Sequence, residues 1–117
     1  MSKNTAFIEV GGDNFEEEVL KSPQPVLVDF YGEHCMPCKA LAPILEKISE
    51  EFPGLKIVKF NCDLTASKRK IIQNYQIRSL PTMLFFKNEL LVDRLHGFNG
   101  QTENQIKQIV RKMLQEN

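Results

Sequence analysis

Cys35-Met36-Pro37-Cys38 is the stretch of this chain whose residue types and spacing carry chemistry by themselves. If a helix begins here, the two thiols lie almost one turn apart. Helix rise and radius then put their Cα atoms about 5 Å from one another, inside the roughly 4.4–6.8 Å that a disulfide spans. Such a pair can open and close with little backbone movement. Cys35 falls at the helix N-terminus, where free N–H groups and the helix dipole favour an anion. Its thiol pKa should drop, and the thiolate is the nucleophile. Pro37 stiffens the first turn, where its missing N–H is no loss. The implied reaction is thiol–disulfide exchange: Cys35 attacks a partner's disulfide, and Cys38 then resolves the mixed disulfide from a held neighbouring position.

The flanking elements must put Cys35 at the helix start. Val26–Tyr31 is β-rich and nearly continuous in apolar character, the pattern of a strand covered on both faces. Leu41, Ile44, Leu45, Ile48 and Phe52 recur at helical spacing, so residues 35–52 read as an amphipathic helix, kinked at Pro43 and ended by Pro53-Gly54. Before them, Phe7, Ile8 and Val10 suggest a short strand. Asp13 offers a helix cap with Glu16 at the capping-box offset, and that helix stops before Pro23. After them come a buried strand over Leu55–Cys62, a short helix over 66–75, and strands over Thr82–Lys87 and Leu90–Leu95 joined at Asn88-Glu89. Thr102 with Gln105 forms a second capping box, opening a helix striped by Ile106, Ile109, Val110, Met113 and Leu114. The order β-α-β-α-β-α-β-β-α predicts an α/β sandwich with a mixed sheet and helices on both faces.

Asp29 stands inside the apolar strand. An aspartate there is expensive to ionise, so its pKa should rise. A carboxyl poised near neutrality can take the proton from Cys38 and later return it. The plainer reading is a structural polar group facing ordered water. Cys62, at the end of the next buried strand, reads as a core thiol acting as a small hydrophobe.

Composition bounds the rest. The 117 residues fit one domain, expected to span 1–117, and a chain this long buries about two-thirds of its unfolded surface. Fifteen basic and fifteen acidic side chains cancel, so no overall basic field exists to hold a nucleic acid. Residues 1–58 carry five basic and ten acidic groups, and residues 59–117 the reverse, which reads as two solvated surfaces of one domain. Lys68-Arg69-Lys70 reads as a solvated helix face. Three cysteines make no disulfide framework. The N-terminal residues show no signal peptide, and no apolar run is long enough to span a membrane. A cytoplasmic protein with no membrane partner is expected.

The run VLVDFYGEHCMPCKALAPILEKISEEF resembles the heart of thioredoxin, as do IVKFNCD and YQIRSLPTMLFFKN. The likeness extends from about residue 6 to residue 115. It implies the thioredoxin fold, a three-layer α/β sandwich with a central mixed five-stranded sheet flanked by four helices. It implies protein-disulfide reductase activity, with Cys35 attacking and a buried Cys38 resolving, and with Asp29 as the family's buried aspartate. Lys59 matches the family's strand lysine near that carboxylate. Ser79-Leu80-Pro81-Thr82 matches the family's cis-proline loop facing the cysteines, so a cis Leu80-Pro81 bond is expected. There the backbone of Leu80 can pair with an extended substrate strand. His96-Gly97-Phe98 matches the glycine-containing docking loop, where a missing side chain lets a partner backbone approach. The partners implied are disulfide-containing proteins and a thioredoxin reductase or similar electron source. No cofactor is needed, and a monomer is expected.

The commonest family signature is Trp-Cys-Gly-Pro-Cys, whereas this chain reads His34-Cys35-Met36-Pro37-Cys38 and contains no tryptophan. Met36 sets a flexible apolar side chain beside the nucleophile. His34, when protonated, favours the Cys35 thiolate. Both tune the site or are tolerated surface substitutions. Rival readings are a structural zinc site, an iron–sulfur cluster shared between two subunits, and a redox-inactive binding module. Zinc wants four ligands, and His34, Cys62 and His96 supply no second pair. Within the redox class, a general reductant leads, a dedicated electron donor for one enzyme follows, and an oxidase or isomerase is third.

Overall fold

The computed structural model describes residues 7–63 and 65–115. The N-terminal residues read above for a signal, and the first residue of the thioredoxin likeness, lie outside the described residues. Alternation along the strands decides the layers. Val26, Val28 and Phe30 of β2 (Val26–Tyr31) pack into one core with Val58 and Phe60 of β3 (Lys56–Asn61) and with Leu84 and Phe86 of β4 (Thr82–Lys87). Leu27, Ile57, Met83 and Phe85 point the other way, into a second core. Leu41, Leu45 and Ile48 of α1 (Met36–Glu51) cover that second face, with Ile106, Val110 and Met113 of α3 (Thr102–Gln115). Phe15 and Val19, with Ile71, Ile72 and Tyr75 in and after α2 (Ala66–Asn74), cover the first. Three layers result, as the sequence pattern predicts.

The sheet runs β1-β3-β2-β4-β5, with β1 (Ile8–Glu9) and β5 (Leu90–His96) at its edges. β1, β3 and β2 are parallel, and β4 and β5 are antiparallel to their neighbours, so the sheet is mixed. Asn88 and Glu89 both take positive φ, 53° and 69°, in the two-residue turn between β4 and β5. A register shift between Phe85 and Phe86 leaves Val92 of β5 without a partner.

Two capping expectations need correction. Asp13 does not cap a helix. It lies in a turn, and the helical stretch Glu16–Leu20 is a π-helix preceded by Phe15 in αR conformation, with no side-chain cap. Asn14 supplies the local side-chain bond instead, accepting from the Gly11 N–H at 2.8 Å. The Lys21 N–H reaches back five residues to the Glu16 carbonyl at 2.8 Å, which is the wider π spacing. Thr102 is not a cap either. It is the first residue of α3, and its hydroxyl accepts from the Asn99 N–H at 2.9 Å, while the Asn99 side chain accepts from Gln101 at 2.7 Å. The turn before the helix therefore takes up the hydroxyl that the capping-box pattern assigned to the helix's own N–H groups. α1 runs on through Pro43, which sits on its exposed side, where solvent can satisfy the Lys39 carbonyl that receives no N–H.

Candidate active site

β2 delivers the chain to the rim of the sheet, and α1 begins there. Cys35 is the N-cap of α1 in extended conformation, with Met36 and Pro37 in the first turn. The Cys35 sulfur accepts a hydrogen bond from the Cys38 N–H at 3.2 Å, and the Cys35 carbonyl accepts from Lys39 at 3.2 Å. A sulfur aimed at a free N–H on the positive end of a sixteen-residue helix is stabilised as thiolate once the pair is reduced. Cys35 and Cys38 form a disulfide with Cα atoms 5.2 Å apart. That separation is what two residues bracketing the first helical turn must have. Cys38 is buried at 5% exposure, Cys35 is half-buried, and Met36 stands 70% exposed between them. His34 and Pro37 are also exposed. One sulfur therefore faces a partner and the other faces the protein.

Gly32 brings a second loop to the cysteines. A Cβ at Gly32 would lie 3.1 Å from Leu80 Cδ1 and 3.9 Å from Cys35 Cβ. The missing side chain is what lets the Leu80 loop sit against the active-site turn. The Leu80-Pro81 bond is cis, as the resemblance implies. The Pro81 carbonyl accepts from the Gly97 N–H at 2.7 Å, which ties the third loop to the second. Gly97 has φ +74°, and a Cβ there would meet nothing within 4 Å, so its backbone lies open to solvent. The Thr82 hydroxyl donates to the Ser79 carbonyl at 2.7 Å and lies 3.5 Å from His96 Nδ1. Three loops thus meet at Cys35: the turn His34–Cys38, the Leu80-Pro81 loop, with Leu80 half-buried and Pro81 buried, and the half-buried Gly97 bonded to Pro81.

Asp29 lies beneath that surface. It is fully buried, and neither carboxylate oxygen has a hydrogen-bond partner. It shares a face of β2 with Leu27, the face that α1 covers. Burial pushes its pKa up from 3.8 to about 6, against the lowering influence of Lys59, whose Nζ lies 3.8 Å from Asp29 Oδ2. Cys62 follows β3, half-buried and unbonded to another cysteine, with burial pushing its thiol up to about 11. Among the described residues no group of three His, Cys, Asp or Glu side chains is clustered to hold a metal ion. Among these residues no helix is long and apolar enough to cross a membrane.

A family model described as thioredoxin matches residues 6–112. The chain belongs to the thioredoxin family. A thioredoxin of Acidithiobacillus ferridurans is 48% identical over 83 residues, covering 70% of this chain and 74% of that protein. One from Mycolicibacterium smegmatis is 39% identical over 102 residues, 86% of this chain and 90% of that protein. A thioredoxin of Rickettsia bellii is 50% identical over 76 residues, 64% and 70%. The protein is accordingly a thioredoxin-type thiol–disulfide oxidoreductase with protein-disulfide reductase activity, in a family whose members generally act on disulfide substrates and draw on a reductase donor. Two residues near the site are brought together only by the fold: Glu9 and Tyr31, which contact one another beside Lys59. Finding them needs the pairing of β1 with β3, and a local residue pattern does not encode strand order.

Proposed function

We propose that Cys35 is the attacking cysteine, Cys38 the resolving one and Asp29 the proton acceptor, in a general reductant of protein disulfides. In the first step the Cys35 thiolate attacks one sulfur of the substrate disulfide. That S–S bond breaks, and the departing thiolate takes a proton from water. In the second step the Cys38 thiol gives its proton to the Asp29 carboxylate and attacks the Cys35 sulfur. The mixed disulfide breaks, the substrate's second sulfur leaves as a thiolate that takes a proton from water, the Cys35–Cys38 bond closes, and Asp29 releases its proton to solvent. Two electrons and the Cys38 proton leave the thiolate–thiol pair, the second proton comes from solvent, and a reductase returns the electrons to the oxidised pair. The observation that carries this reading is the asymmetry of the pair: Cys35 is half-buried with an N–H on its sulfur, and Cys38 is buried, three residues before Leu41 on the helix stripe that covers the sheet face of Leu27.

Leu80, Pro81 and Gly97 are the proposed substrate-docking loops, with the half-buried Leu80 and Gly97 presenting backbone and the buried Pro81 tying them together. An extended segment laid across them is held mainly through main-chain hydrogen bonds, so recognition is broad. Met36 adds an apolar contact, and His34 and Lys59 tune the charges above and below the disulfide. A monomer working in the cytoplasm, where thiols are kept reduced, fits this role.

Trapping tests the reading. Cys38→Ser leaves Cys35 able to attack and removes the resolving sulfur, so mixed disulfides accumulate. Many partners of comparable yield are expected from a lysate. One dominant partner would turn the assignment to a dedicated electron donor. No trapped species with Cys38→Ser, but trapping with Cys35→Ser, would reverse the two roles.

A further inference from the structure

Three strands set Glu9, Lys59 and Asp29 in one row. Lys59 of β3 is paired with Glu9 of β1 on one side and with Asp29 of β2 on the other. In-register residues of parallel strands leave the sheet on the same face. The row therefore alternates acid, base, acid across the sheet. Tyr31, two residues beyond Asp29, rises from the same face. Its ring centroid lies 4.4 Å from Lys59 Nζ, and its hydroxyl donates to Glu9 Oε2 at 2.7 Å. Lys59 Nζ is also 3.8 Å from Asp29 Oδ2. The ammonium is thus bracketed between an aromatic ring and a buried carboxylate, and the ring is tethered through its hydroxyl to the acid at the far end of the row.

We propose that Glu9, tethered by Tyr31, is a positioning residue for proton transfer at Cys38: from across the sheet it sets the pH at which Asp29 can accept the proton. The proposal rests on the reading of Asp29 as that acceptor. The groups facing Asp29 come from several elements. β3 supplies Lys59, whose charge favours the carboxylate, and β1 supplies Glu9, whose charge opposes it. β2 supplies Tyr31, whose phenol is pushed above its ordinary range and stays protonated. Cys62, beyond β3, has its thiol pushed up to about 11 and stays neutral. β4 offers the uncharged Met83 as the paired residue, and α1 covers this face of the sheet with the apolar Leu41, Leu45 and Ile48, Cys38 lying one turn before Leu41 on the same stripe. Of these groups, Glu9 and Lys59 are the two whose charges the sheet register sets in line with Asp29: Lys59 pairs with it directly, and Glu9 pairs with Lys59 from the other side of that strand.

The sign follows. Removing the negative charge of Glu9 makes Asp29 easier to ionise, so its titration midpoint falls. Two strand spacings separate the acids by about 10 Å, and for an exposed partner in water-like surroundings this gives roughly 0.3 of a pH unit, about a twofold change in proton affinity. The effect is screened by salt.

Glu9→Gln is the test variant, because its amide oxygen can still accept from Tyr31. The Asp29 carboxyl is titrated by carbon NMR in the full chain. In parallel, the rate of insulin disulfide reduction is followed against pH at low and high salt. The expected result is a midpoint lower by about 0.3 pH unit, an acid limb of the rate profile displaced equally, and a smaller displacement at high salt. Tyr31→Phe, which keeps the ring and frees Glu9, should move both in the same direction by less. An unmoved midpoint, or an equal loss of rate at every pH, overturns the proposal. Asp29→Asn separates the two levels of the argument. If it leaves the rate profile unchanged, the acceptor reading falls and takes this proposal with it. If it abolishes the acid limb while Glu9→Gln leaves that limb in place, the role of Glu9 alone is refuted.

Discussion

Replacing Asp29 by Asn should change how stability depends on pH, and the size of the change follows from burial. The carboxyl is fully buried without a hydrogen bond, and its pKa in the folded protein is raised from 3.8 to about 6, chiefly by desolvation and in spite of Lys59. Between those two pH values the folded state holds a proton that the unfolded chain has lost. Stability therefore falls as pH rises through this window, and the cost is complete above pH 6 and absent below about pH 4. At about 1.4 kcal/mol per pH unit the full cost is about 3 kcal/mol. Asn cannot ionise, so the variant escapes this cost. Its buried amide carries a penalty of its own, on the order of 1–3 kcal/mol, but that penalty does not vary with pH. The clean quantity is thus the difference between variant and parent at pH 8 minus the same difference at pH 4. Urea denaturation of the oxidised proteins reads it. With a slope of roughly 1–3 kcal/mol per M, the two midpoints should diverge by about 1–3 M between these pH values, in favour of the variant at pH 8. Stability curves that run parallel from pH 4 to pH 8 would refute the reasoning, because they would mean that Asp29 ionises as readily in the folded state as in the unfolded.

Three further outcomes test the fold and its thiols. Glu89 holds φ +69° in the hairpin turn, so Glu89→Gly should stabilise by about 1 kcal/mol and raise the thermal midpoint by a few degrees. The exposed Lys21–Glu89 pair at 3.8 Å contributes too little to offset it, and a lowered midpoint would contradict this. Leu45 is fully buried between α1 and the sheet, and Leu45→Ala should cost about 3–4 kcal/mol in urea or thermal unfolding. A loss under 1 kcal/mol would show that the core on this face collapses around the gap. Cys62, half-buried and with its thiol pushed up to about 11, should react with iodoacetamide at neutral pH at least about a hundredfold more slowly than free cysteine. Labelling at the rate of an ordinary exposed thiol would rule out the burial described here.

The positions of the strands and long helices were readable from periodicity alone. Leu41, Leu45 and Ile48 lie on one stripe whatever the rest of the chain does, because 3.6 residues per turn is a property of the backbone. The strand at Val26–Tyr31 and the thiol spacing at the start of α1 are local in the same sense, which is why a Cα separation near 5 Å could be expected and is found. The first helical segment was less legible. Its capping pattern at Asp13 gives way to a side-chain bond at Asn14, because neighbouring Asp and Asn side chains both offer the backbone local hydrogen bonds.

The chain's own residue order dictated that a thiol pair would sit at a helix N-terminus after a buried strand, since both depend on neighbours in sequence. What surrounds that pair was decided by tertiary structure. Gly32 meets Leu80, Gly97 meets Pro81, and Glu9, Lys59 and Asp29 fall into one row only once β1, β3 and β2 lie side by side. Strand order and register are set by burying two apolar faces at once, a condition on the whole sheet rather than on any segment of it. The same burial that closes those cores removes water from Asp29, and that desolvation turns an ordinary aspartate into a group that exchanges its proton near neutral pH.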